Sequence, residues 1–428
     1  MQSAFKPLTW THNTSIYEVN LRQYTREGNI ESFRKHLPRL KEMGIHTLWF
    51  MPIQPIGKKN RKGTLGSYYS ISDYTGINPE FGDETNFRQL VDEAHQKGFI
   101  VILDWVANHC SWDNIWTETH PEFFSRDEKG NFKPPFPNWE DVIHLDYQQQ
   151  GLRQKMQESM LYWVQAFGID GFRCDMAHLV ALDFWKECRT AIDAFKPLFW
   201  LGEFDELEYP AYGEVFDASY SWTWMHKTEA FAREKINLKE LIKVLKNYDD
   251  LGDRGMRIWF TSNHDENSWN GTEHEKYGGL AMALAVFSVT WNGIPLIYSG
   301  QEIPNHKRLR FFEKDEIEWS AHNELQDFYT TLLRLHSDHP ALEGGNKEVI
   351  THTLKTSEPD KTFAYLRTHG TRAVLAILNF SGHAIPDFII MDDRVAGSYM
   401  NVFTKEECKI EYGTSWELKG WDYRVFEK

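Results

Sequence analysis

Between residues 15 and 336 short apolar runs alternate with amphipathic stretches, and this alternation restricts the chain to a parallel α/β architecture. The apolar runs predict strands at 15–24, 46–51, 99–107, 170–177, 198–204, 214–220, 257–262 and 294–299. Helical periodicity predicts helices at 30–43, 84–97, 152–167, 183–195, 238–248, 279–291 and 324–336. Gly44, Gly98 and Gly168 stand where three of these helices would end. The run at 99–107 is apolar almost throughout, as suits a strand buried on both faces. Eight such strands joined by right-handed crossovers imply a closed (β/α)8 TIM barrel, with its site at the C-terminal strand ends. A doubly wound open sheet is the alternative.

Two stretches leave this rhythm. Residues 110–147 are rich in Trp, Pro, Asn and Asp and read as an insert over the barrel mouth. After 344 the pattern changes to short runs at 349–354, 362–367, 372–379 and 421–425 separated by turns, as in antiparallel strands. The expected units are a barrel built from 1–109 and 148–344, an inserted subdomain at 110–147, and a C-terminal antiparallel β-sandwich at 345–428.

Composition narrows the partners. Among 428 residues, 62 Asp and Glu stand against 47 Lys and Arg, a formal net charge of −15. That balance argues against nucleic acid or an anionic membrane surface, both of which are bound through clustered cations. No apolar run approaches the length of a membrane span. The first residues lack a basic and then apolar leader, so the expected compartment is cytoplasmic, or periplasmic or secreted if a signal was removed. The four cysteines, Cys110, Cys174, Cys188 and Cys408, have neither zinc-site nor disulfide-framework spacing. An acidic chain with 17 Trp, 18 Tyr and 28 Phe is suited to hydroxyl-rich ligands, which aromatic faces and carboxylates grip.

Four predicted strand ends are polar. The third barrel strand ends in Asp104-Trp105-Val106-Ala107-Asn108-His109, the fourth contains Arg173-Cys174-Asp175, the fifth ends in Gly202-Glu203-Phe204, and the seventh in Asn263-His264-Asp265. Arg173 and Asp175 share a strand face, so the guanidinium is expected to hold the carboxylate ionised. Glu203 follows the apolar run 198–201, which would raise its pKa as a general acid requires. One ionised carboxylate and one protonated carboxyl on adjacent strands meet the needs of retaining glycoside hydrolysis. Taken singly, each has a plainer reading: an internal ion pair, a solvated rim residue, or turn capping by Asn and Asp. Their joint placement at four strand ends of one barrel is what favours chemistry.

With these blocks the sequence resembles the α-amylase family, family 13 of the glycoside hydrolases, across essentially the whole chain. The resemblance implies that Asp175 is the nucleophile, Glu203 the acid and base, and Asp265 a third carboxylate that binds sugar hydroxyls. It further implies that Arg173 holds Asp175, that Asp104 braces Arg173, and that His109 and His264 bind the sugar at the cleavage point. Tyr69, in Gly66-Ser67-Tyr68-Tyr69-Ser70, matches the tyrosine that stacks under that sugar. The segment Gly293-Ile294-Pro295-Leu296-Ile297-Tyr298 resembles the family's last barrel strand, the insert its domain B and the tail its domain C. Trp112, Trp116, Trp139, Trp222, Trp224 and Trp269 fall in mouth loops, where some are expected to be sugar platforms.

The implied activity is hydrolysis of α-1,4-glucosidic bonds in starch, maltodextrins or related α-glucans by a monomer or small homo-oligomer. A transglycosylase, isomerase or exo-acting α-glucosidase of the family is the alternative, and a non-catalytic glucan-binding barrel a distant one. The chemistry needs no cofactor. Many members bind a structural calcium through an Asn after the third strand and an Asp late in domain B. Asn108 makes the first a candidate ligand, but His144 stands at the second, and calcium prefers oxygen. Where α-1,4-glucan enzymes often carry Lys-His after the nucleophile, this chain has His178 and Leu179.

Overall fold

The computed structural model describes residues 5–428 except 7, 253, 254, 321 and 322. Ten strands precede the tail: β1 (Ile16–Val19), β2 (Thr47–Phe50), β3 (Ile100–Trp105), β4 (His109–Ser111), β5 (Val142–His144), β6 (Gly171–Cys174), β7 (Phe199–Asp205), β8 (Ala218–Tyr220), β9 (Met256–Trp259) and β10 (Ile294–Tyr298). Eight of them close a parallel barrel in the order β1, β2, β3, β6, β7, β8, β9, β10. The closed barrel replaces the open-sheet alternative. Its register matters for the site: Asp104 of β3 lies directly opposite Arg173 of β6.

Strand burial is near complete because helices cover the outside and side chains fill the inside. Gly44 and Gly168 end helices Leu37–Met43 and Gln150–Phe167 with φ of 95° and 71°, conformations a side chain disfavours. The single helix expected at 30–43 is two, Ile30–Arg34 and Leu37–Met43. Pro38 lacks an N–H and its ring would meet the carbonyl of Arg34, so the first helix cannot run through it. The first strand is also shorter than expected. After Val19 the chain turns into a helical turn, Leu21–Tyr24, whose Arg22 and Gln23 bond loop carbonyls.

The sixth barrel strand starts at Ala218, not 214. Val215 and Phe216 are apolar because Phe216 packs on Trp185 and Phe204, not because they join the sheet. Asp217 accepts the Trp200 N–H through its side chain, and its own N–H and carbonyl make the first backbone bonds to the neighbouring strands. Helix Trp222–Ala232 was not legible from periodicity, since its apolar residues Trp222, Trp224, Met225 and Phe231 do not keep to one face.

In the insert, β4 and β5 pair antiparallel with His109 opposite His144. The tail has eight strands rather than four: β11 (Ile350–Thr353), β12 (Thr362–His369), β13 (Arg372–Asn379), β14 (Ile385–Ile389), β15 (Gly397–Asn401), β16 (Glu407–Ile410), β17 (Ser415–Leu418) and β18 (Tyr423–Glu427). They form a six-stranded sheet, β11-β12-β13-β18-β15-β16, and a separate β14-β17 pair. The last strand lies at 423–427 rather than 421–425. All four cysteines are free, and three are buried. Among the described residues no helix is long and apolar enough to cross a membrane.

Candidate active site

A cleft of about 600 Å³ opens at the C-terminal end of the barrel. Asp175, Glu203, Asp265, Tyr69 and His109 line it, so the structure brings together residues far apart in sequence. Its volume falls within the range of small-molecule sites.

Arg173 organises the floor. Its Nη1 donates to Asp104 Oδ1 at 3.0 Å and to Asp175 Oδ1 at 2.9 Å. Its Nη2 lies 2.9 Å from Glu203 Oε2, and its Nε donates to Tyr220 Oη at 3.0 Å. Trp49 covers the guanidinium at 5.0 Å and adds an indole N–H to Asp104. β6 ends at Cys174, and the chain then turns through Met176 at φ 41°, a left-handed conformation rare for a side-chain-bearing residue. That turn aims the Met176 N–H at Glu203 Oε2, 2.8 Å away. Asp175 and Glu203 are therefore tied to one planar cation, which keeps them within a few ångströms of each other.

The electrostatics differ from the expectation for Asp175. Burial pushes its carboxyl well above the ordinary aspartate range, the charge of Glu203 pushes the same way, and Arg173 opposes both. The guanidinium is divided among three buried carboxylates, so it does not hold Asp175 ionised by itself. Burial likewise pushes Asp104 up to about 6 against the pull of Arg173. Burial and mutual repulsion thus push both aspartates up, and the one guanidinium between them pulls each back down. Glu203, for its part, rests on Arg173 and a backbone N–H rather than in the apolar surroundings expected for it.

Other expected residues fall into two sets. Asp265 is half-exposed at the cleft, 3.4 Å from His264 Nε2. His264 itself is buried behind Tyr69 and Asp265 and does not line the cleft. Tyr69 stacks on His264 with centroids 5.4 Å apart, and its hydroxyl donates to Asp104 Oδ2 at 3.0 Å. His109 is held near-neutral by burial, which pushes it down to about 3, and Trp139 packs edge-on against it. Of the six tryptophans, Trp139 and the half-exposed Trp269 line the cleft. Trp116 and Trp224 are buried in the core, Trp222 stacks on Tyr220, and Trp112 bonds the Glu140 carbonyl.

Asn108 is buried with its side-chain Nδ2 against His109 Nδ1 and its backbone carbonyl accepting the Leu145 N–H. His144 turns its Nδ1 to Ser125 Oγ at 2.8 Å. An imidazole at the second position withholds the oxygen that a hard calcium ion seeks, so the pair does not fit that ion. Among the described residues no group of three or more His, Cys, Asp or Glu is arranged to hold a metal ion.

Four contributors lay outside the sequence reading. Glu18 of β1 is fully buried against His264. Met176 supplies its N–H to Glu203. Phe311 lies beside Tyr69 and Trp269 from a loop after the last barrel strand. Lys62 bridges to Asp141 at 2.9 Å, joining the loop after β2 to the insert across the cleft rim. A Glu in a short apolar strand was a visible signal for the first, while the others depend on how distant loops meet.

Comparison with known proteins agrees with this geometry. Residues 11–144 and 138–341 match the family described as alpha amylase, catalytic domain. A maltogenic alpha-amylase of Bacillus acidopullulyticus is 25% identical over 433 aligned positions, covering 94% of this chain and 70% of that protein. The structure of a noncanonic maltogenic alpha-amylase from Thermotoga neapolitana superposes with a TM-score of 0.88 at 30% identity, covering 98% of this chain and 99% of that one. An alpha-amylase from Lactobacillus plantarum gives a TM-score of 0.88 at 29% identity, covering 98% of this chain and all of that one. The chain belongs to the α-amylase family and is an α-amylase-like glycoside hydrolase.

Proposed function

We propose that this enzyme hydrolyses α-1,4-glucosidic bonds of malto-oligosaccharides and starch-type glucans with retention of configuration. The observation that carries the reading is the tie of Asp175 and Glu203 to the one guanidinium of Arg173 in a cleft that also presents Asp265. The relatives' names, maltogenic alpha-amylase and cyclomaltodextrinase among them, support an α-glucan substrate.

In the first step the Asp175 carboxylate attacks the anomeric carbon while the glycosidic bond breaks. Glu203 gives its proton to the departing oxygen, leaving a β-glucosyl ester on Asp175. In the second step Glu203, now a carboxylate, takes a proton from water, and the water oxygen displaces Asp175 with a second inversion. Asp265 accepts hydrogen bonds from sugar hydroxyls as positive charge develops on the ring. Tyr69, with Trp139 and Trp269 at the rim, provides apolar faces for the sugar. No metal ion enters these steps.

The cleft volume and the Lys62–Asp141 bridge over its rim favour short oligosaccharides as good substrates alongside polymer. Reducing-sugar release from soluble starch and maltoheptaose, by wild type and Asp175→Asn, tests the proposal. Release by wild type and loss of at least about a thousandfold in the variant are expected. Equal release by both would refute it. Product lengths from maltoheptaose separate hydrolysis from transfer, since transfer makes products longer than the substrate.

A further inference from the structure

Glu18 sits on β1 with its carboxyl fully buried inside the barrel. Its Oε1 is 2.5 Å from His264 Nδ1, and among the described residues its Oε2 has no hydrogen-bond partner. The second imidazole nitrogen, Nε2, is 2.8 Å from the Tyr69 hydroxyl and 3.4 Å from Asp265 Oδ2.

With Glu18 and Asp104 as carboxylates, the hydrogen bonds set the state of the ring. The Tyr69 hydroxyl has one proton, and it is given to Asp104 Oδ2 at 3.0 Å, an acceptor that also takes N–H groups from Trp49 and Arg173. The tyrosine oxygen is then an acceptor towards Nε2, so Nε2 carries hydrogen. On the other side burial pushes the Glu18 carboxyl up while His264 and Arg173 pull it down; as a carboxylate its Oε1 accepts, and Nδ1 then carries hydrogen as well. Both nitrogens donate, which is the imidazolium form. The charged groups facing the ring are Glu18 from β1, Asp104 from β3, Arg173 from β6 and Asp265 beside it, with Tyr69 from the loop after β2. Burial works against the charge, but Asp265 and Glu18 outweigh it and push His264 up to about 9.

We propose that Glu18 is a positioning residue that keeps His264 as a doubly donating imidazolium, and so fixes Tyr69 and Asp265 at the cleft. Glu18 does not line the cleft, and neither does His264. The carboxylate acts through the ring: Nδ1–H is anchored from below, and Nε2–H points at the two residues that do face substrate. A neutral ring would leave Nε2 with a lone pair if its proton stayed on Nδ1. The Tyr69 hydroxyl would then turn to donate to Nε2, withdraw from Asp104, and free the Asp265 carboxylate from its cationic neighbour. The inference deepens the proposed hydrolysis and rests on it for the activity readout.

Two measurements test it. In the wild type, ¹⁵N NMR of the imidazoles, with His264 assigned by comparison with His264→Asn, should show both His264 nitrogens protonated at pH 7 and titrating only near pH 9. Titration near the ordinary value of 6.5 would overturn the proposal without reference to activity. In Glu18→Gln, the same titration should place His264 about one pH unit or more lower, and KM for maltoheptaose should rise above that midpoint while kcat changes less. Glu18→Asp, which keeps the charge, should restore most of that shift. A Glu18→Gln enzyme with the His264 titration in place and kcat lowered at unchanged KM would mark a purely structural role and overturn the inference. If the wild type releases no sugar at any pH, the proposed activity fails, and the NMR titration still decides the role of Glu18.

Discussion

A guanidinium offers five N–H donors in a planar fork, and Arg173 distributes them among Asp104, Asp175, Glu203 and Tyr220. A lysine at this position would keep the charge but could not hold two carboxylates at fixed angles. Arg173→Lys is expected to lower kcat on maltoheptaose about a hundredfold or more with little change in far-UV circular dichroism. The buried Asp175 carboxyl also sets a pH signature. Hydrolysis needs it ionised, and burial together with the charge of Glu203 pushes its titration upward. The acid limb of the kcat profile should therefore lie well above the ordinary aspartate value of 3.8. A profile still rising only below that value would show that Asp175 does not titrate as the buried nucleophile.

Single elements carry their own constraints. β6 must approach β7 closely enough for Arg173 and Asp175 to meet Glu203, and Gly171 is what permits it. A Cβ there would lie 2.2 Å from the Phe199 carbonyl oxygen and 3.0 Å from Ile102 Cγ2. Gly171→Ala should cost about 1–3 kcal/mol in denaturant unfolding and lower activity, because the two strands must part. Helix Gln326–Asp338 contributes a second test. Its His336 is buried with Nδ1–H donating to the Val289 carbonyl, and burial pushes the ring down to about 4. The unfolded ring takes a proton near 6.5, so the native state binds fewer protons below that pH. Its stabilising contribution is present above about 6.5 and lost as pH falls through about 4. Tm measured from pH 7 to 4 should fall accordingly, and His336→Leu should flatten part of that slope.

At the scale of the whole molecule, the tail is docked on the barrel through a buried cation that, among the described residues, meets carbonyls and no carboxylate. Arg367 of β12 donates to the carbonyls of Trp291 at 2.9 Å and Glu343 at 3.0 Å. Burial pushes it down to about 10. Around it Trp291 packs on Phe363 and Tyr365, and Thr290 shares a hydrogen bond with Tyr365. Arg367→Met would strand those carbonyls, each costing about 1–3 kcal/mol. Tm should drop by several degrees, and limited proteolysis should speed up near residues 344–348. An unchanged Tm would mean the aromatic contacts dock the tail by themselves.

The sequence by itself determined the barrel and the identity of its chemical groups. Strand and helix periods differ, so eight alternations were countable, and the polar strand ends at Asp104, Arg173, Asp175, Glu203 and Asp265 stood out against apolar runs. Periodicity could not separate strand from buried loop at Val215 and Phe216, nor see past Pro38, nor find the short tail strands β14 to β17. Only the tertiary structure decided how one guanidinium is shared among three carboxylates, which of the tryptophans reach the cleft, and that Glu18 stands behind His264. Those outcomes depend on distances between segments up to 246 residues apart. Local sequence sets which groups a strand presents, whereas the closure of the barrel sets which of them share a guanidinium.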